Sequence, residues 1–220
     1  MKSRLNVLVN CERSGKVREA FRARGHNAWS CDLEGPDDWS KYHIQGDALV
    51  AARSRPWDLM IAHPPCTYLC NSGVCWLWAG KPGDPGGHGM WIKNRERWAL
   101  LRRASIFFRE LWDMNIPHIA IENPIPHRYA GLPRKYDQII QPWMFGHPES
   151  KATCLWLRNL PKLVPTDDVK HIWKNLPKSK AQRLHYLSPG PQRAKLRSET
   201  YQGIADAMAE QWGTYVSNQL

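Results

Sequence analysis

Residues 5 to 21 read LNVLVNCERSGKVREAF, and this stretch decides the fold. The apolar run from Leu5 to Val9 predicts a buried strand, and the polar segment from Asn10 to Gly15 predicts a turn. After the turn, Val17, Ala20 and Phe21 follow helical spacing. The stretch therefore predicts a strand, a loop and a helix, which is the opening unit of an α/β sheet.

The same alternation continues along the chain. Gly25 ends the first helix, and a short second strand from Ala28 to Cys31 is followed by Asp32. Further strands are predicted at Trp57 to Ala62, Ile116 to Ile121 and Ala152 to Leu157, with helices at Asn94 to Met114 and Thr200 to Val216. This pattern predicts an α/β fold with a mostly parallel sheet and helices on both faces, whose ligands lie at the carboxyl ends of the strands.

The composition narrows the class of protein. The chain has 220 residues, enough for one core, so we expect a single domain over residues 1–220. No run approaches the ~18 uncharged apolar residues of a membrane-spanning helix, and the six cysteines are scattered as in reducing compartments. We expect a cytoplasmic, monomeric protein without a membrane partner. The formal net charge of +11 favours a nucleic acid as the partner.

Two segments stand apart from the alternation. Residues 67–93 are rich in glycine, proline and aromatic residues, which is long for a connection, so we expect a mobile flap. We expect residues 158–197 to form a short basic segment that contacts nucleic acid, and residues 169–197 within it carry eight Lys or Arg and no acid. Such a string suits contact with phosphates, although a solvated basic loop reads the same way.

Cys66 is the most distinctive chemical feature. It follows Pro64-Pro65 at a predicted strand exit, where a thiolate nucleophile would face the ligand crevice. A buried structural cysteine is the alternative for any single thiol. A metal site at Cys66, Cys70 and Cys75 with His88 is not expected, because the cysteine spacings miss the usual Cys-x2-Cys pattern.

Taken in order, Pro64-Pro65-Cys66, Ser72 and Glu122-Asn123 resemble the motifs of the DNA cytosine-5 methyltransferase family, particularly its short phage-type members. The resemblance covers roughly residues 5 to 157 and 198 to 212, and it implies a bacterial or phage-infected cell. It implies that Cys66 is the nucleophile, that Glu122 contacts N3 and the exocyclic amine of a flipped cytosine, and that Asn123 supports the loop. A carboxylic acid at N3 would stabilise the charge that builds there when a thiolate attacks carbon 6.

The resemblance also implies a binding site for S-adenosylmethionine. It implies that Asp32 binds the ribose of the cofactor and that Asp47 faces the adenine amine. Further contacts are implied from the first loop, from the proline before Cys66 and from the start of the last helix. The full set of implied cofactor contacts is Cys11, Glu12, Ser14, Gly15, Asp32, Asp47, Pro65, Thr200 and Tyr201. The loop departs from the family by having fewer glycines and Asn10 where an aromatic residue is usual. Each of these residues taken alone also fits a solvated turn or a helix start.

Substrate contacts follow from the same comparison. The family has a Gln-x-Arg-x-Arg strand, and its nearest counterpart here holds Lys151 and Thr153. The expected substrate and DNA contacts are Pro64, Ser72, Asn123, Lys151, Thr153, Lys178, Lys180 and Arg183. Only about forty residues separate Leu157 from Ser198, so a full target recognition domain is absent and we expect short or relaxed sequence specificity.

The sequence therefore predicts a DNA methyltransferase that acts on carbon 5 of cytosine in double-stranded DNA through a covalent Cys66 adduct, in restriction-modification or genome marking. RNA remains open as a substrate. The alternatives are an amino methyltransferase, which has an aromatic residue at the position of Cys66, and a non-catalytic DNA-binding protein that retains the fold.

Overall fold

The computed structural model describes residues 3–79 and 92–220, without the side chains of residues 191 and 192. The strands are β1 (Asn6–Asn10), β2 (Asn27–Asp32), β3 (His43–Gln45), β4 (Leu59–Ala62), β5 (Trp78–Ala79), β6 (Ile92–Lys93), β7 (His118–Pro124), β8 (Gln138–Ile140) and β9 (Thr153–Arg158). The helices are α1 (Lys16–Ala23), α2 (Ala48–Arg53), α3 (Arg95–Trp112), α4 (Lys170–Asn175), α5 (Lys178–Ala181), α6 (Arg183–Tyr186), α7 (Pro191–Ser198) and α8 (Gln202–Ser217). Two 3-10 helices span Asn71–Leu77 and Pro142–Met144.

Seven strands form one sheet in the order β3-β2-β1-β4-β7-β9-β8. Strands β3, β2, β1, β4 and β7 pair in parallel, whereas β9 runs antiparallel to both of its neighbours, β7 and β8. The strand order reverses between β1 and β4, because the chain leaves β1 toward β2 on one side and returns to β4 on the other. At such a switch point, the loops that follow neighbouring strands open a crevice for a ligand.

Alternating side chains of the central strands form two cores. Val7 and Val9 of β1 pack with α1 and α8, while Leu8 packs on the opposite face with α2 and α3. Trp212 of α8 is fully buried and donates its Nε1 hydrogen to the carbonyl oxygen of Pro161 at 2.9 Å. Each such buried large side chain contributes about 1.5–3 kcal/mol. The prediction of a mostly parallel sheet covered on both faces is confirmed.

Some elements differ from the sequence-based expectation. Strands β3 and β8 and the reversed direction of β9 were not predicted. Residues Glu122 and Asn123 lie within β7 rather than after it, because β7 continues to pair with β9 beyond the point where Pro64 ends β4. The expected flap contains a 3-10 helix over residues 71–77 and the β5–β6 pair, and its residues 80–91 lie outside the described part of the chain.

The basic segment, residues 158–197, contributes few buried side chains from its helices. Helices α4 to α7 each span four to eight residues. Among their described side chains, only Ala181 and Leu184 are buried. Within the described ranges, none of the helices combines the length and the apolar character that a membrane crossing requires.

Candidate active site

The exits of β4 and β7 form the centre of the site. These strands pair in parallel up to Ala62 and Ile121, so the next residues on each strand lie side by side. Asn123 is fully buried and donates from Nδ2 to the carbonyl oxygen of Pro64 at 3.1 Å. This bond ties the Pro64-Pro65-Cys66 turn to the strand that carries Glu122.

Cys66 is half-buried and begins a tight turn. Its carbonyl oxygen accepts hydrogen bonds from the backbone nitrogens of Leu69 at 3.0 Å and Cys70 at 3.1 Å. The turn brings the side chains of Cys66 and Cys70 together, and the hydroxyl of Ser72 lies 3.0 Å from the Cys70 sulfur. Ser72 was expected at the substrate, and the structure places it beside the second thiol of this pair.

The pKa values of the two thiols are shifted in opposite directions. A hydrogen bond with Cys70 and then burial raise the pKa of the Cys66 thiol, with the Glu122 charge acting in the same direction and Lys151 opposing it. The hydrogen bond from Cys66 lowers the pKa of Cys70, burial opposes this, and contacts from Ser72 and the backbone nitrogen of Gly73 assist it. The hydrogen bond between the two thiols therefore makes Cys66 the harder of the two to deprotonate.

Glu122 is held as a carboxylate. Its Oε2 lies 3.1 Å from Nδ1 of His63. Burial raises the pKa of Glu122, but this is outweighed by the hydrogen bond from His63, the charge of Lys151 and the hydroxyl of Thr153, so that the net pKa is lowered. Glu122 is thus an acceptor at neutral pH.

Lys151 and Thr153 reach the site through the reversed strand. Because β9 is antiparallel to β7, the residues that enter β9 lie at the same edge as the residues that leave β4 and β7. The charge of Lys151 acts on both Cys66 and Glu122, and its Nζ donates to the carbonyl oxygen of Glu199 at 3.2 Å. The two predicted substrate residues are therefore next to the predicted nucleophile and carboxylate.

A cavity of about 540 Å³ opens beside these strand exits. Its lining includes five residues expected at the cofactor, namely Cys11, Glu12, Ser14, Asp32 and Thr200. It also includes His63, which connects the cavity to Glu122. The volume is in the range of about 300–1,000 Å³ usual for small-molecule sites.

Several residues of the first loop have structural tasks. The Glu12 carboxylate accepts from the backbone nitrogens of Val17 at 2.7 Å and Arg18 at 3.2 Å, and so caps α1. Gly15 has a φ of 70°, and a Cβ there would lie 2.2 Å from Nη2 of Arg18. Asn10 is fully buried and donates to the carbonyl oxygen of Ala48 at 3.1 Å, so it anchors the sheet to α2.

Other expected cofactor contacts lie outside the lining of this cavity. Asp47 caps α2 by accepting from the backbone nitrogens of Leu49 at 2.7 Å and Val50 at 3.1 Å. The hydroxyl of Tyr201 donates to Oε2 of Glu149 at 2.7 Å. Pro65 is exposed on the turn before Cys66. Their cofactor roles remain predictions.

Ion pairs close one side of the cavity. Asp37 is bound by Arg13 at 2.8 Å and by Lys195 of α7 at 3.1 Å. Burial raises the pKa of Asp37, but Lys195 and Arg13 lower it by more than burial raises it. The pKa of Asp37 therefore lies below its ordinary value. Lys16 pairs with Glu199 at 2.9 Å in the same region. The sequence-based reasoning missed Arg13 and Lys195 as cavity residues, because their pairing joins distant parts of the chain.

The predicted DNA contacts of the basic segment differ in availability. Lys178 and Lys180 are exposed on α5. Arg183 instead pairs with Glu149 at 3.0 Å, and this contact raises its pKa. The two lysines are thus available to phosphates, whereas Arg183 also holds the segment to the loop before β9.

Comparisons with known proteins were made with sequences and with solved structures. No protein-family model matches the chain, and no curated protein matches it either. It is similar in structure to an E. coli protein encoded within a prophage and described as a DNA modification methyltransferase, with 15% identity, coverage of 79% of this chain and 55% of that chain, and a TM-score of 0.44.

Two further solved structures are similar. The methyltransferase EhMeth of Entamoeba histolytica has 17% identity, coverage of 76% of this chain and 58% of that chain, and a TM-score of 0.44. The Dnmt2 methyltransferase of S. pombe has 14% identity, coverage of 86% and 61%, and a TM-score of 0.38. The chain thus spans 55% to 61% of the length of these proteins. The seven-stranded sheet of this chain is mostly parallel, with β9 as the reversed strand among the described residues, and it belongs to the α/β class of folds.

Proposed function

We propose that the chain is a DNA methyltransferase that transfers a methyl group from S-adenosylmethionine to carbon 5 of cytosine, with Cys66 as the nucleophile. The observation that carries this proposal is the meeting of Cys66, Glu122 and Lys151 at neighbouring strand ends beside a cavity. A thiol, a carboxylate and a cation in one place are the groups that addition to a pyrimidine ring requires.

The cavity lining fits the proposed cofactor. Carboxylates accept from hydroxyls and amines, and Asp32 at the end of β2 has this chemistry on the cavity wall. The acidic residues of the wall also favour a ligand that carries a positive charge. Adenosylmethionine, when bound, would supply an electrophilic methyl group on a sulfonium ion.

In the proposed mechanism, the Cys66 sulfur forms a bond to carbon 6 of the flipped base. As this bond forms, the Cys66 thiol gives its proton to its hydrogen-bond partner, the Cys70 sulfur, a transfer that the raised pKa of Cys66 and the lowered pKa of Cys70 oppose. Electron density moves toward N3, and the charge of Lys151, which acts on Cys66 and Glu122, favours this movement. After methyl transfer, a water molecule from solvent accepts the carbon 5 proton, the electron pair left behind re-forms the double bond between carbons 5 and 6, and the bond from carbon 6 to sulfur breaks. Cys66 then takes its proton back from Cys70.

Glu122 has a role that depends on desolvation. As a carboxylate it accepts a hydrogen bond from the exocyclic amine of cytosine. Protonation of N3 by Glu122 requires that its pKa rise first, and exclusion of water by a bound base acts in that direction. The base must leave the duplex for the sulfur to approach its ring face, as in other enzymes that act on a nucleobase.

DNA is the proposed partner because of charge. The net charge of +11 and the exposed Lys178 and Lys180 suit the phosphate backbone. Each phosphate contact that is lost should reduce the slope of log affinity against log salt by about 0.9. A Lys178→Ala, Lys180→Ala double variant should therefore show a salt slope lower by about 1.8 for duplex DNA.

The test is incubation of the full chain with labelled adenosylmethionine and mixed duplex DNAs, followed by nucleoside analysis. We expect 5-methylcytosine, its loss in Cys66→Ser, and its retention in Cys75→Ser, which changes an exposed cysteine and serves as the matched control. DNA containing 5-fluorocytosine should remain covalently attached to the wild-type chain and not to Cys66→Ser. An RNA arm tests the other nucleic acid.

One observation favours the amino methyltransferase as a second candidate. The Cys66 thiol is held protonated by Cys70 and burial, which weakens it as a nucleophile. In that case the product is a methylated exocyclic amine, and Cys66→Ser retains activity. Absence of any transfer together with duplex binding would instead support a non-catalytic DNA-binding protein.

A further inference from the structure

His63 occupies a position that the sequence-based reasoning did not single out. Its backbone nitrogen donates to the carbonyl oxygen of Asn10 at 3.0 Å, which places it between the exits of β1 and β7. Its side chain is only 8% exposed. His63 therefore lies between the first loop and Glu122.

The two ring nitrogens of His63 have different surroundings. Nδ1 lies 3.1 Å from Oε2 of Glu122. Nε2 is buried and has no hydrogen-bond partner among the described residues, although His63 lines the cavity. A carboxylate accepts only, so Nδ1 carries a hydrogen, and the Nε2 of a neutral imidazole presents a lone pair.

A buried acceptor without a partner costs free energy unless a ligand supplies a donor. The cavity wall is acidic, with Glu12 and Asp32 among its residues. The Glu12 carboxylate already caps α1, so it is occupied with backbone donors. The Nε2 of His63 is thus an unused acceptor in a cavity suited to a cation.

We propose that His63 is a further cofactor-binding residue, whose Nε2 accepts a hydrogen bond from the ammonium group of adenosylmethionine while Nδ1 donates to Glu122. This inference rests on the proposed function, because it takes adenosylmethionine as the ligand. It links the two halves of the site through one imidazole ring, so that occupation of the cavity fixes the orientation of Glu122.

Two substitutions separate the nitrogens. His63→Asn keeps an amide nitrogen near the position of Nδ1 and removes Nε2. His63→Gln places an amide near the position of Nε2. Both variants retain Glu12 and Asp32 in the cavity lining. Circular dichroism on both variants checks that they fold.

Calorimetry on the full chain, without DNA, measures binding of adenosylmethionine at pH 8. His63→Asn should bind adenosylmethionine roughly tenfold more weakly than the wild type. His63→Gln should stay within about threefold of the wild-type affinity.

Wild-type affinity in His63→Asn overturns this inference and leaves the proposed function standing. An equal loss of affinity in both variants assigns His63 a structural role and also overturns it. Absence of adenosylmethionine binding by the wild-type chain overturns both the inference and the proposed function.

Discussion

The tie between Asn123 and Pro64 offers a quantitative test of the site. Asn123→Ala removes the 3.1 Å bond and leaves the buried carbonyl oxygen of Pro64 without its donor. An unsatisfied buried group costs about 1–3 kcal/mol. Oδ1 of Asn123 has no partner among the described residues, so its removal offsets part of this cost. We therefore expect a loss of about 1–2 kcal/mol.

For a chain of this size, each kcal/mol lowers the melting temperature by about 2–4 °C, so the expected decrease is about 2–8 °C. The effect on transfer should be larger than the effect on stability. Loss of the tie lets the Cys66 turn shift relative to Glu122, and a displacement of about 1 Å costs roughly 100-fold in rate. Thermal unfolding and methyl transfer below the melting temperature measure the two effects.

Asn175→Ala is the matched control, because Asn175 makes a similar bond to the carbonyl oxygen of His171 at 3.0 Å on an exposed helix. Its substitution should change the free energy of unfolding by no more than about 0.5 kcal/mol. If Asn123→Ala is as stable as this control and transfers methyl groups at the wild-type rate, Asn123 does not position the turn.

Three further predictions address the thiol pair, the first loop and the carboxylate. Cys70→Ala removes the partner that, together with burial, raises the pKa of Cys66, so alkylation of Cys66, followed by mass spectrometry, should begin at lower pH. The control Cys75→Ala should leave the pH profile of Cys66 alkylation unchanged, and the same profile in both variants would contradict the role of Cys70. Gly15→Ala places a Cβ at a φ of 70°, so the free energy of unfolding should fall by more than about 1 kcal/mol in denaturant titration; an unchanged midpoint would contradict the clash. Burial raises the pKa of Glu122 but its neighbours lower it below the ordinary 4.5, so its stabilising effect is present above about pH 4.5 and lost below. The stability difference between wild type and Glu122→Gln should shrink on acidification, and a constant difference would refute the assignment.

The sequence predicted the part of the fold that depends on local patterns. The apolar run before Asn10 predicted a buried strand, and β1 is indeed covered on both faces. Its polar continuation contributes Cys11, Glu12 and Ser14 to the cavity wall. The Pro64-Pro65 pair correctly marked a strand exit beside Glu122. These features can be predicted from the sequence because the spacing of apolar residues and the presence of proline determine the local conformation of the chain.

Pairing between distant segments could not be predicted in the same way. β9 is buried along nearly its whole length, and such a run reads identically in either direction, so its reversal was hidden. The meeting of His63 with Glu122 depends on the register of β4 against β7. The role of Asp47 could not be predicted from the sequence either, because a carboxylate that follows a turn fits a helix cap as well as a contact with a ligand.

The small number of buried side chains in helices α4 to α7 has a consequence for the proposed contact with DNA. With Ala181 and Leu184 as the buried side chains described there, local opening costs little, and the amide hydrogens of these helices should exchange with solvent far faster than those of β1. A segment that is ordered mainly by its target spends part of the binding free energy on that ordering. Under the proposed function, this segment would tolerate many DNA sequences, and discrimination would depend on the pocket proposed to receive the base.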